Sequence, residues 1–252
     1  MRQGMLQQKI VVIHQPDFAP HIAFFHRLFL AHLFIVFDDV QFLRRGWQHR
    51  DKIKTKQGAR WLTVPVQKDR LDQEINKMNI SGNREAWIKG HLDQLTAHYR
   101  TARYFDVIFP QIRELYHCSH SRLIDFNMAF LRFFFDLFSI KIEVAFSSEF
   151  AADGKRNDKL TNLVTAAQGT HYLTGSGSVA YLDRILFSKS QIDVLWQQFT
   201  HPVYPQLYGG FVPYLSCIDF AMNCGGHLKE YLEESGNLTS YRDVDCSTPT
   251  GL

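Results

Sequence analysis

Cysteine is scarce in this 252-residue chain: Cys118, Cys217, Cys224 and Cys246 lie far apart and form no C-x-x-C pair. That spacing argues against a cysteine-built zinc cluster and, with no secretory pattern, favours reduced thiols over a disulfide framework. Long hydrophobic runs are missing too. The most apolar stretch, 128–138, is broken by Arg132 and Asp136 and falls short of the ~20 residues that a membrane-spanning helix needs. Residues 1–8 are polar and carry no apolar signal region, so a soluble, cytoplasmic protein without a membrane span is expected. Charge of one sign is also sparse. A net charge of +3 gives no support to a polymeric nucleic-acid partner or a general membrane-surface role. No internal repeat, Walker lysine or full G-x-G-x-x-G spacing occurs.

What is present is an α/β pattern. A strand over 9–14 ends on His14, a stiff loop (Gln15-Pro16-Asp17-Phe18-Ala19-Pro20) follows, a helix over 21–32 starts on His21, and a strand over 33–37 delivers Asp38 and Asp39. In a right-handed βαβ unit the loop after the first strand and the end of the second lie at one edge of a parallel sheet. His14, His21, Asp38 and Asp39 are thereby brought to one rim beside a helix N-terminus, which favours anions. The middle of the chain is helix-rich: periodic patterns predict helices over 83–99, over 102–116 with a break at Pro110, and over 121–138, the last crowded with phenylalanine for the core. Strands over 61–66, 140–146, 171–173 and 193–199, and helices over 159–167, 179–186 and 215–223, complete the reading. Gly169 is the expected C-cap of the helix before it. The predicted architecture is a parallel-rich sheet flanked by helices in one domain over 1–236, with a poorly ordered tail over 237–252.

Four clusters carry candidate chemistry. Gly175-Ser176-Gly177 can let backbone N–H groups approach an anion, or can be an ordinary turn. Lys155, Arg156 and Asn157 stand where a helix begins and offer a phosphate or carboxylate clamp, or a solvated loop. The run from Arg44 to Lys52, including Arg45, Trp47, Gln48 and Arg50, mixes cations with planar groups, a composition suited to stacking on rings and gripping phosphates. Its alternative is a solvated arm with aromatics tucked onto the core. His14 and His21 can each serve as general acid or base near neutral pH, and Asp38-Asp39 can hold a divalent ion, since such ions take oxygen ligands.

Several stretches together resemble the WbqC-like protein family: Ile13-His14-Gln15-Pro16-Asp17-Phe18-Ala19-Pro20-His21, Phe37-Asp38-Asp39-Val40-Gln41-Phe42, Gly46-Trp47-Gln48-His49-Arg50, Tyr172-Leu173-Thr174-Gly175-Ser176-Gly177-Ser178, His201-Pro202-Val203-Tyr204-Pro205-Gln206, Pro213-Tyr214-Leu215-Ser216 and Asn223-Cys224-Gly225. The resemblance implies a bacterial cytoplasmic protein of surface polysaccharide (O-antigen) biosynthesis that transfers a glycyl or similar acyl group to an amino sugar. A second similarity is to the HUP superfamily of nucleotidyltransferases and class I synthetases. His21-Ile22-Ala23-Phe24 matches the first histidine of its motif, but Phe24 stands in place of the second.

The expectation is therefore a transferase for a nucleotide-linked small molecule. His14 or His21 would take a proton from the attacking amine. Gln15, Asp17, Gln41, Arg45, Trp47, Arg50, Lys155, Arg156, Asn157, Gly175, Ser176 and Gly177 would hold substrate or phosphate, and Asp38 and Asp39 a metal. The cofactor is left open, with a nucleotide plus a divalent cation as the candidate. The alternatives are an ATP-dependent nucleotidyltransferase or ligase and a non-catalytic nucleotide-sugar binding protein.

Overall fold

The computed structural model describes residues 8–67, 73–178, 180–237 and 241–243. In chain order its elements are β1 (Ile10–His14), α1 (Ile22–Phe29), β2 (Leu33–Val36), the hairpin β3 (Arg50–Thr55) and β4 (Gly58–Thr63), α2 (Arg84–Tyr99), α3 (Phe105–His117), α4 (Leu123–Leu137), β5 (Glu143–Phe146), α5 (Asn157–Ala166), β6 (His171–Thr174), α6 (Arg184–Lys189), β7 (Asp193–Gln197), α7 (Cys217–Cys224), α8 (Leu228–Glu234) and β8 (Tyr241–Asp243). Five strands pair in parallel in the spatial order β5-β2-β1-β6-β7, and β8 adds an antiparallel edge beside β7. Among the described residues no helix is long and apolar enough to cross a membrane.

Strand β1 is apolar at four successive positions because both faces of the sheet are covered. Ile10 and Val12 join one cluster with α1, α4 and α7. Val11 and Ile13 point to the opposite face and join a second cluster with Leu163 and Val164 of α5 and Phe187 of α6. The phenylalanines of α4 fill the larger cluster; Phe126 stacks on Phe18 and Phe130 meets it edge-on, and Phe134 and Phe138 pack on Phe25.

Several local expectations are corrected. Helix α3 runs through Pro110 without a break. The proline deprives only the Asp106 carbonyl of a partner, both residues are exposed, and burial of Ile108, Ile112 and Tyr116 holds the helix. Gly169 is not the left-handed residue after α5; Gln168 is, at φ 55°. Gly169 is needed for space, since a Cβ there would lie 2.5 Å from Val11 Cγ2. The turn after β6 opens no helix directly: a 3-10 turn spans Ser176–Ser178, and α6 begins only after Asp183, whose carboxylate caps Leu186 N at 3.1 Å. Helix α8 was not anticipated. The basic run proves to be a short 3-10 turn (Trp47–His49) followed by β3, paired with β4. Of the predicted tail, β8 is paired in the sheet, whereas 238–240 and 244–252, with Cys246, lie outside the described residues. Cys118, Cys217 and Cys224 are free thiols.

His91 on α2 illustrates how the interior holds neutral imidazoles. Its Nδ1 accepts from the Tyr116 hydroxyl at 3.0 Å, and its Nε2–H donates to the Thr63 carbonyl at 3.2 Å. Burial lowers its pKa from 6.5 to about 4. The unfolded chain takes up this proton near pH 6.5 and the folded one only near pH 4, so the stability it supports is intact above pH 6.5 and is lost as the pH falls. Urea unfolding at pH 7 and pH 5 checks this. His91→Gln, which can keep both hydrogen bonds, is expected to lose about 2 kcal/mol less than wild type across that interval; equal losses would contradict the assignment.

Candidate functional site

The parallel strands reverse direction of addition between β1 and β6, and in open α/β sheets a crevice opens beyond the carboxyl ends at such a reversal. A cavity of about 330 Å³ lies there. Its wall is built from His14 and Asp17 at the end of β1, His21, Phe24 and Arg27 of α1 and its start, Trp47 and Asp51 of the arm, Gly175 and Gly177 after β6, Gln197 of β7, and Tyr214.

His14 donates from Nδ1 to the Gln15 carbonyl at 2.9 Å, which leaves Nε2 as the nitrogen with a free lone pair. Burial, reinforced by Arg27, lowers its pKa to about 3. His21 precedes the first turn of α1 in extended backbone. Its Nδ1 is buried without a hydrogen-bond partner, the Tyr214 ring meets it edge-on at 5.5 Å, and burial with Arg27 and His201 lowers its pKa to about 4. Both imidazoles are neutral at physiological pH.

Arg27 is the centre of the electrostatics. Its Nε is buried and unpartnered, and among the described residues no carboxylate forms an ion pair with it. Burial pulls its pKa below the ordinary value against the opposing pull of Tyr172, Asp17 and Tyr181. Gly175 makes room for it, because a Cβ at that position would stand 3.0 Å from Nη1. Asp17 is 7% exposed and Asp51 1%. Burial raises Asp17 to about 7, and raises Asp51 well above the carboxylate range with the Asp17 charge adding to it.

Specific hydrogen bonds bring these groups together. Phe18 N donates to the Trp47 carbonyl at 3.1 Å, and Gln48 Nε2 donates to Gln15 Oε1. Asn127, fully buried on α4, donates to the carbonyls of Pro16 at 2.7 Å and Gln48 at 2.6 Å. These bonds fasten the arm to the loop after β1. Tyr214, at φ 56°, is held by its N–H donating to His201 Nε2 at 3.1 Å, while His201 Nδ1 donates to the Pro202 carbonyl at 2.9 Å. The assembly can place an oxyanion on Arg27 and accept a proton on a neutral imidazole.

Of the predicted site residues, His14, Asp17, His21, Trp47, Gly175 and Gly177 meet at this cavity. The others stand apart from its wall. Gln15 is tied to Gln48, and Gln41 is exposed beside Glu74 in a backbone bridge. Arg50 donates to the Arg45 carbonyl at 2.7 Å and lies over Trp61, 4.4 Å from its ring centre. Lys155 and Arg156 are exposed, and Asn157 donates to the Tyr181 carbonyl at 3.0 Å. Ser176 lies in the 3-10 turn. Asp38 accepts from Ser147, Ser148 and Asn76, and Asp39 from Ser147 and Lys159; the pair staples the end of β2 to the segment after β5. Among the described residues no group of three or more His, Cys, Asp or Glu is placed to hold a metal ion.

Arg27, Asp51, Gln197 and Tyr214 were missed. Arg27 carried a signal, a cation inside the Ile22–Phe29 helix whose other residues are apolar except for His26, and Asp51 another, a lone acid within a basic run. Gln197 carried none.

The model of the WbqC-like protein family matches residues 15–231, a span that includes most of the cavity wall. The chain belongs to the WbqC-like family. It is similar to an uncharacterized protein of Mycobacterium tuberculosis, Rv1507c, at 34% identity over 228 residues, covering 89% of this chain and 97% of the relative. No solved structure matches. In this WbqC-like chain Asn127 is the clasp between loop and arm. Asn127→Ala is expected to lower stability by about 2–4 kcal/mol, because two buried carbonyls lose their donor, and to loosen Trp47 from the cavity. Chemical denaturation with Trp fluorescence checks both, and a loss under about 1 kcal/mol would contradict the clasp.

Proposed function

We propose that the chain is a transferase acting on a nucleotide-linked amino sugar or similar small molecule, by aminoacyl or acyl transfer in surface polysaccharide biosynthesis. The observation that carries this reading is that Arg27 and His21, each with an enclosed nitrogen that has no hydrogen-bond partner (Nε and Nδ1), both line one cavity at the strand-order reversal. Unmet polar groups of this kind are costly unless a ligand satisfies them. Arg27 suits a phosphate or carboxylate oxygen. Burial is the main cause of the low basicity of His14 and His21, and Arg27 adds to it; an anion seated on Arg27 offsets that second contribution and so favours proton uptake by the imidazole that removes a proton from the attacking amine. Trp47 and Tyr214 supply planar surfaces beside the opening.

A second reading, an ATP-dependent nucleotidyltransferase, is favoured by one observation: His21 stands at the start of the helix that follows the first parallel strand. Pyrophosphate release on mixing with ATP and a carboxylic acid distinguishes it.

Thermal-shift titration with nucleotides, nucleotide sugars and sugar phosphates, followed by mass spectrometry of reaction mixtures, tests the proposal. The expected result is a raised Tm with an amino-sugar nucleotide. Arg27→Gln should weaken that binding about 10- to 100-fold, and His21→Ala or His14→Ala should cut turnover by about 100-fold or more. Full activity in the double histidine variant would overturn the catalytic roles, and binding without turnover of any donor would leave a binding protein.

A further inference from the structure

The cavity also holds two carboxyl groups that phosphate recognition does not use. Asp17 is 7% exposed, and among the described residues no donor hydrogen-bonds its carboxyl; His14 Nδ1 stands 3.8 Å away, beyond bonding range. Asp51 is 1% exposed and accepts at Oδ1 from Lys52 N at 2.6 Å, with no donor to Oδ2 among the described residues. Both line the same cavity as Arg27. Both carboxyl groups have spare acceptor capacity at the cavity wall, where a ligand donor can reach them, and once charged they would repel a phosphate placed beside them.

We propose that Asp17 and Asp51 form the subsite for a primary ammonium group, so that the cavity selects ligands carrying a phosphate for Arg27 and a protonated amine for the carboxyl pair. The inference rests on the cavity being the substrate site, as above, and names which part of the substrate it discriminates. The placement supports it. Asp17 leaves the loop after β1 and Asp51 opens β3, so the fastening of arm to loop by Phe18, Trp47 and Asn127 is what makes the two converge. Within the cavity wall the acids and the guanidinium come from different elements, and one ligand can satisfy both signs. In the empty cavity burial keeps the two carboxyls protonated to higher pH than usual; a docked ammonium favours their charged form and drives the proton out. The groups facing the pair are His14 from β1, His21 and Arg27 from α1 and its start, Lys52 from β3, and Cys217 from α7.

Calorimetry with glucosamine 1-phosphate and glucose 1-phosphate, which differ in an ammonium against a hydroxyl, tests the inference. Wild type is expected to bind the amine probe at least tenfold tighter, with net proton release seen only for that probe when two buffers of different ionisation enthalpy are compared. Asp17→Asn and Asp51→Asn, each isosteric, should bring the ratio below threefold, with glucose 1-phosphate bound at least as tightly as by wild type. Arg27→Gln should weaken both probes tenfold or more. Equal binding of the two probes by wild type overturns the ammonium subsite and leaves the phosphate site standing, and this arm needs no variant to fold. Failure of both probes to bind, or indifference of both to Arg27→Gln, overturns the cavity as the substrate site and the subsite with it.

Discussion

Holding a half-buried guanidinium without a carboxylate partner is the constraint around which this structure is arranged. Arg27 projects from α1 into the crevice at the strand-order reversal, with an unpartnered Nε, and a desolvated, unpaired cation is costly. Its field adds to the burial that depresses His14 and His21 and partly counters the burial that raises Asp17. Gly175 is small where the guanidinium needs space. A pocket with this much unmet charge is pre-organised for a ligand, because the desolvation has been met in folding.

The rest of the chain keeps that arrangement rigid. The loop over 204–214 is fixed by a buried network in which Asp219 accepts from Tyr99 at 2.6 Å, Tyr204 at 2.8 Å and Gln206 at 3.1 Å. Lys54, buried on β3, donates to Gln206 Oε1 at 3.1 Å and to the carbonyls of Gly209 and Gly210. That network sets the path leading to Tyr214, and His201 then sets its backbone. Sheet, arm and loop thus deliver one wall each.

The opening βαβ unit was legible because its physics is local: an apolar run covered on both faces ends at His14, and a proline-bounded loop leads to His21. Strand direction placed His14 and His21 at one rim, but it placed Asp38 and Asp39 there as well, which stand apart from the cavity wall, and Trp47 reaches the cavity through the bonds made by Phe18 and Asn127. Arg27 and Asp51 were not legible as site residues, because their significance lies in lacking partners, which only the packed structure reveals. Local rules also misplaced elements where packing overrode them: Pro110 sits on a water-facing helix surface that tolerates a lost hydrogen bond, and Gly169 is needed for its closeness to Val11 of β1 and Val164 of α5 rather than for a left-handed backbone. Lys155 and Arg156 have the right composition for an anion clamp but remain exposed outside the cavity wall.

A crystal of the full chain soaked in tungstate, a heavy mimic of phosphate, tests through the anomalous signal whether the unpaired Arg27 guanidinium receives the anionic part of the ligand. The expected result is a tungsten peak beside the Arg27 guanidinium, with tungstate oxygens hydrogen-bonded to it, between α1 and the turn at Gly175. Tungstate held at Lys155–Arg156 or on the basic arm, with the Arg27 cavity empty, would contradict it.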